Sequence, residues 1–141
     1  MRYDTYGAAL KECIARPKRM YRIDVVLFNL EPQEDGTNKS VEGEYYERNG
    51  DCHPFECIFD DRDEAVAYIQ TFTQEMAQDA LRTSTNMLKY DHVAVEVNEL
   101  DESLDPGYVI ACCDWLYGTQ LDCWVNEECA GRVEDVRTDQ D

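Results

Sequence analysis

Between Tyr21 and Leu30 the chain is apolar on both sides of an extended backbone, with Ile23, Val25 and Leu27 on one face and Val26, Phe28 and Leu30 on the other. Side chains along a strand alternate with period two, so a strand that is apolar on both faces has to be covered on both. The segment therefore predicts a central strand, and such a strand needs partners at its two edges. Val41 to Arg48 alternates sufficiently to be one partner, placing Glu42, Glu44 and Tyr46 on one side. Asn49-Gly50 is a strong hairpin signal leading into a strand over Cys52 to Phe59, with Pro54 making that strand an edge or delaying its start to Phe55. Val93, Val95 and Val97 alternate with Ala94, Glu96 and Asn98, which predicts an amphipathic strand with one buried face. Tyr108 to Leu116 reads as a further apolar strand, and Tyr117 to Gln120 can turn it back into Leu121 to Val125.

Two helices accompany these strands. Asp4 or Thr5 can cap the first, whose Tyr6, Ala9, Leu10, Cys13 and Ile14 follow the spacing of one buried face, and Pro17 should end it near Arg16. Ala65, Ile69, Phe72, Met76 and Ala80 share a face of a second, predicting a long helix from Arg62 to Arg82, with Asp61 and Glu64 as the acidic counterpart of a capping box. The expected fold class is α+β: one mainly antiparallel sheet of five to six strands, a long helix packed on one face and a short N-terminal helix. Residues 1–133 are expected to form a single domain, and 134–141 an acidic, flexible tail.

Charge is the second constraint. The 141 residues carry 31 Asp plus Glu against 13 Lys plus Arg, a formal net charge of -18. Six of the basic residues (Arg2, Lys11, Arg16, Lys18, Arg19 and Arg22) fall in the first 22 positions, beside only Asp4 and Glu12. The remainder is strongly negative throughout. Such a field repels nucleic acid and anionic membrane surfaces and speeds encounter with basic partners. Direct nucleic-acid binding and membrane binding are thus not expected. The chain has no apolar run of about 18 residues, and Met1 to Gly7 carries no apolar stretch of signal-peptide type, so a cytoplasmic location is expected. On that expectation the seven cysteines should be free thiols.

The residues that gather metal ligands or nucleophiles do so at unhelpful spacings. Cys52-His53 with Cys57, and Cys123 with Cys129, are separated more widely than the pairs of structural zinc sites, and there is no C-x-x-C. They read as unrelated thiols beside a surface histidine. A cysteine beside His53 or His92 could act as a nucleophile, but surrounding carboxylates raise a thiol pKa and deplete the thiolate. Asp60, Asp61, Asp63 and Glu64 superficially resemble a hard-cation site, yet carboxylates at a helix start are accounted for by its dipole and open amides. Phosphate-binding glycine loops, nucleophile elbows and paired-histidine zinc motifs are absent from the sequence. Neither an enzyme nor a cofactor is expected.

The expected function is a non-catalytic acidic binding protein that inhibits or regulates a basic, nucleic-acid-binding partner by occupying its nucleic-acid site. Same-face residues of a strand repeat at about 7 Å, close to the phosphate spacing along one DNA strand, and Glu42 and Glu44 match it. Glu47, Asp51, Glu56, Asp60 and Asp61 extend the row. Small inhibitors of restriction and CRISPR effectors encoded by phages and mobile elements share this size and charge, a likeness of physical class alone. An alternative is a scaffold or homo-oligomerisation module acting through Trp115, Tyr117 and Trp124 of the last hairpin, since exposed aromatics anchor interfaces. A small metal-dependent or Cys-His hydrolase is the second alternative.

Overall fold

The computed structural model describes residues 1–85, 90–116 and 119–125, with the backbone alone described at 30, 38–42, 116 and 119–122. The elements in chain order are β1 (Arg2–Tyr3), α1 (Tyr6–Ala15), β2 (Tyr21–Pro32), β3 (Asn38–Tyr45), β4 (Ile58–Phe59), α2 (Arg62–Ile69), α3 (Gln74–Thr83), β5 (His92–Leu100), β6 (Pro106–Leu116) and β7 (Thr119–Val125). All strand pairs are antiparallel, in the order β1-β4-β2-β5-β6-β7, with β3 also pairing β2. The fold is α+β, built on one antiparallel sheet. Among the described residues it has seven strands rather than five to six, because a two-residue strand at Arg2–Tyr3 pairs with Ile58–Phe59.

β2 is central, as its two apolar faces require. One edge pairs with β5 from Tyr21↔Glu99 to Phe28↔His92, while the other is shared by β4 at its start and β3 at its end. Ile23, Val25 and Leu27 meet Val93, Val95 and Val97 in the main core, which α2 and α3 cover. Phe28, Ala94 and Cys112 form a smaller cluster backed by Val109 and Trp124. β5 is buried along both faces, not one, because it lies inside the sheet between β2 and β6. Gly107 admits a close backbone approach where β5 and β6 change register: a Cβ there would lie 2.8 Å from the Glu99 carbonyl oxygen.

Three further expectations are corrected. The long helix over Arg62 to Arg82 is two helices, since the Gln70, Thr71 and Phe72 amides bond three residues back and Thr73 caps α3 by accepting from the Met76 amide. Thr71 adds to the break by bonding the Tyr68 carbonyl with its hydroxyl. The first helix keeps its Thr5 cap and its stop before Pro17, but only Ala9 of the apolar set is buried; Tyr6, Leu10 and Ile14 face outward. Its docking cluster is small, comprising Tyr3, Ala9, Met20, Ile58, Leu100 and Leu104. The strand predicted for Cys52 to Phe59 shrinks to Ile58–Phe59, after a tight Arg48↔Asp51 bridge in which Asn49 and Gly50 both adopt positive φ.

Candidate functional site

The predicted acidic row divides on folding. β3 has no second strand partner among the described residues, so it carries Glu44 along an exposed edge of the sheet. Glu47 and Asp51 follow it on the exposed turn beyond, and Glu44 accepts a hydrogen bond from the Tyr90 hydroxyl. The Glu42 side chain lies outside the described residues. Glu56 does not extend the edge; it turns inward, accepting from the His53 amide at 3.0 Å. Asp61 caps α2, taking the Glu64 amide, while the Glu64 carboxylate reaches the Met1 amino group at 2.9 Å instead of closing a reciprocal box. Asp60 is structural, holding Met1 and Lys18 and only 15% exposed.

The basic beginning of the chain folds onto the chain's own acids. Arg2 pairs with Asp4, Arg16 and Lys18 with Glu12, Lys18 also with Asp60, Arg19 with Glu99, and Arg22 with Asp24. The predicted aromatic anchors behave differently from one another. Trp115 is 6% exposed in the main core, against Phe72, on the face of β6 that Ala111 and Cys113 also present to that core. Trp124 is half-buried in the smaller cluster on the opposite face, and Tyr117 lies outside the described residues.

A polar cluster that the sequence reading passed over lies on β2 and β5. Asp24, only 3% exposed, receives Arg22 Nε on Oδ1 at 2.8 Å and Arg22 Nη2 on Oδ2 at 3.1 Å. Asn98 on β5 donates its side-chain amide to the same carboxylate. Glu56 abuts the cluster from the segment before β4, within hydrogen-bond reach of Asp24. Burial pushes Glu56 up to about 7, with the neighbouring Asp24 charge adding to the effect and the His53 and Val25 backbone bonds opposing it. Burial likewise raises Asp24, against the pull of Arg22 and Asn98. One guanidinium, held by Asp24, thus lies beside two carboxyl groups, and the raised pKa of Glu56 favours its protonated form. A lone Asp in an apolar strand was the sequence signal for this cluster.

These groups open onto a cavity of about 400 Å³ whose walls include Tyr6, Tyr45 and Cys52. The Cys52 thiol is pushed up by burial and then by Glu56, Asp24 and Asp51, so it is a poor nucleophile at neutral pH. His53, expected at the surface, is 8% exposed; its Nδ1 accepts from the Phe55 amide, and burial lowers its pKa. Among the described residues, no three His, Cys, Asp or Glu side chains converge as a metal site. The expectation of free thiols is corrected at Cys113 and Cys123, which are direct cross-strand partners on β6 and β7 and form a disulfide. Cys129 lies outside the described residues. Among the described residues no helix is long and apolar enough to cross a membrane. Comparison with protein-family models, with curated proteins and with solved structures finds no match to this chain.

Proposed function

We propose that the chain is a non-catalytic acidic binding protein that inhibits or regulates a basic partner by occupying that partner's nucleic-acid site. The supporting observation is the pairing of the N-terminal cations with the chain's own carboxylates. Arg2, Arg16, Lys18, Arg19 and Arg22 are each held by a carboxylate of the same chain, while Glu44, Glu47 and Asp51 stand exposed on one sheet edge and its turn. The positive segment is therefore muted, and the net charge of -18 is expressed outward. Lysines and arginines that bind phosphates would meet carboxylates on this edge, and their counterions would be released on binding.

The test is capture from a native lysate at ~50 mM and ~500 mM salt, followed by competition with duplex DNA. The expected partner is a basic protein held only at low salt, displaced by DNA, and bound more than roughly tenfold more weakly by the Glu42→Lys, Glu44→Lys double variant. Retention at both salts, or an affinity unchanged by charge reversal, would overturn the reading.

A further inference from the structure

We propose that the cavity beside Asp24 and Glu56 binds an alkylammonium group, carried by a small amine or by a lysine side chain. Arg22 directs both arms of its fork onto Asp24, and Asn98 takes up one of the same oxygens, so that carboxylate is compensated. Glu56 takes the backbone amides of His53 and Val25 and feels Arg22 at a distance, but among the described residues it forms no ion pair. A ligand cation entering the cavity can balance the Glu56 charge that burial disfavours.

The surrounding groups define what can enter. Arg22 and Asp24 face Glu56 from β2, Cys52 and Cys57 flank it on its own segment, and Tyr45 of β3 and Asp4 before α1 line the same cavity. Apart from Arg22, already held by Asp24, the charged members are all acids. The field they produce is registered at Cys52, whose thiol is raised by burial and by three carboxylates. A bare divalent cation lacks ligands, because no three metal-binding side chains converge among the described residues. An alkylammonium needs less: one or two carboxyl oxygens for its N–H groups, and apolar or aromatic walls for its stem. Tyr6 and Tyr45 supply those walls; both rings are about half exposed at the cavity.

The inference does not depend on the acidic edge, and its test separates the two. The full chain is titrated calorimetrically with n-butylamine, and in parallel with Nα-acetyl-lysine methylamide, in two buffers of different ionisation enthalpy. At about pH 6.5, just below the value of about 7 to which Glu56 is raised, saturable binding with release of at most roughly three quarters of a proton is expected; at about pH 8.5 release should vanish and affinity should rise several-fold. Glu56→Gln should weaken binding roughly tenfold and remove the proton release. Tyr6→Ala, at an exposed helix position, should weaken binding several-fold in a chain whose circular dichroism is unchanged. Binding of both probes places the site with amines in general, whereas binding of the lysine derivative alone assigns it to a protein side chain. No saturable binding of either probe, or binding without proton release at about pH 6.5, overturns the proposal. The Glu44→Lys variant should bind both probes as the parent does, whatever it does to a protein partner.

Discussion

Lys18 places its Nζ 3.2 Å from Asp60 Oδ2, while Oδ1 of the same carboxylate accepts the Met1 amino group at 2.7 Å. One side chain just before α2 thereby fixes both ends of the N-terminal excursion. Burial alone would raise the Asp60 pKa, but the amino group and Lys18 outweigh it and hold the carboxyl below its ordinary value. The contribution to stability is consequently present above pH 3.8 and lost as pH falls below it. Asp60→Asn should cost about 1 kcal/mol at neutral pH, because the partners are partly exposed, and almost nothing near pH 3. Urea midpoints at the two pH values measure it; equal losses would show that the bond pattern rather than the charge matters.

Asp24→Ala should be among the most damaging single changes. It strands a partly buried guanidinium and leaves Asn98 without its acceptor, for a loss of roughly 3 kcal/mol. Asp24→Asn retains an acceptor and should cost clearly less. Equilibrium unfolding of both variants compares them directly, and equal costs would argue against a specific role for the charge.

Stability should respond to pH through two groups acting in opposite senses. Glu56 takes up its proton near 4.5 when unfolded and at about 7 when folded, so the folded chain holds more protons between those values. Stability then falls as pH rises through that window, by roughly 3 kcal/mol in all. His53 behaves oppositely: burial lowers its pKa below 6.5, the unfolded chain takes the proton first, and stability is lost as pH falls below 6.5. Unfolding midpoints between about pH 4 and 8 should flatten on the alkaline side in Glu56→Gln and on the acid side in His53→Gln. A Glu56→Gln curve parallel to the parent would place this titration elsewhere.

Trp115 packs in the core with its indole N–H buried and without a hydrogen-bond partner among the described residues. Truncation to Ala should cost about 3 to 5 kcal/mol, whereas Trp115→Phe, which removes an unsatisfied donor with part of the volume, should cost less than about 1.5 kcal/mol. Thermal unfolding distinguishes these outcomes. If Trp115→Phe proved as harmful as Trp115→Ala, the unpaired N–H would be finding a partner in solution.

The strands were legible in the sequence wherever period two ran for five residues or more, as from Ile23 to Phe28 and from Val93 to Val97. So were the Asn49-Gly50 turn and the Thr5 cap, because each rests on backbone chemistry within four residues. Two-residue strands such as Arg2–Tyr3 carry no period and depend on what comes to lie beside them. The break between α2 and α3 was hidden because the apolar spacing continues across it, and only the threonine side-chain bonds reveal it. Of the candidate site, exposure at Glu44, Glu47 and Asp51 followed from local sequence, but the inward turn of Glu56 did not. It brings Glu56 from the segment before β4 beside Asp24 of β2, a residue far away in the chain that only folding makes a neighbour.

The pairing of Tyr21 with Glu99 sets a schedule for synthesis. β2 leaves the ribosome early, but the strand that seals its longer edge follows only after some 70 residues, which takes on the order of 4 to 15 s at ordinary elongation rates. In that interval β3, joined to β2 by a short turn, can cover one edge, while the other stays open along a row of unpaired backbone N–H and C=O groups. Assembly of this sheet is therefore governed by a late arrival, and a nascent chain stalled before His92 would be the form most prone to pairing with a neighbour.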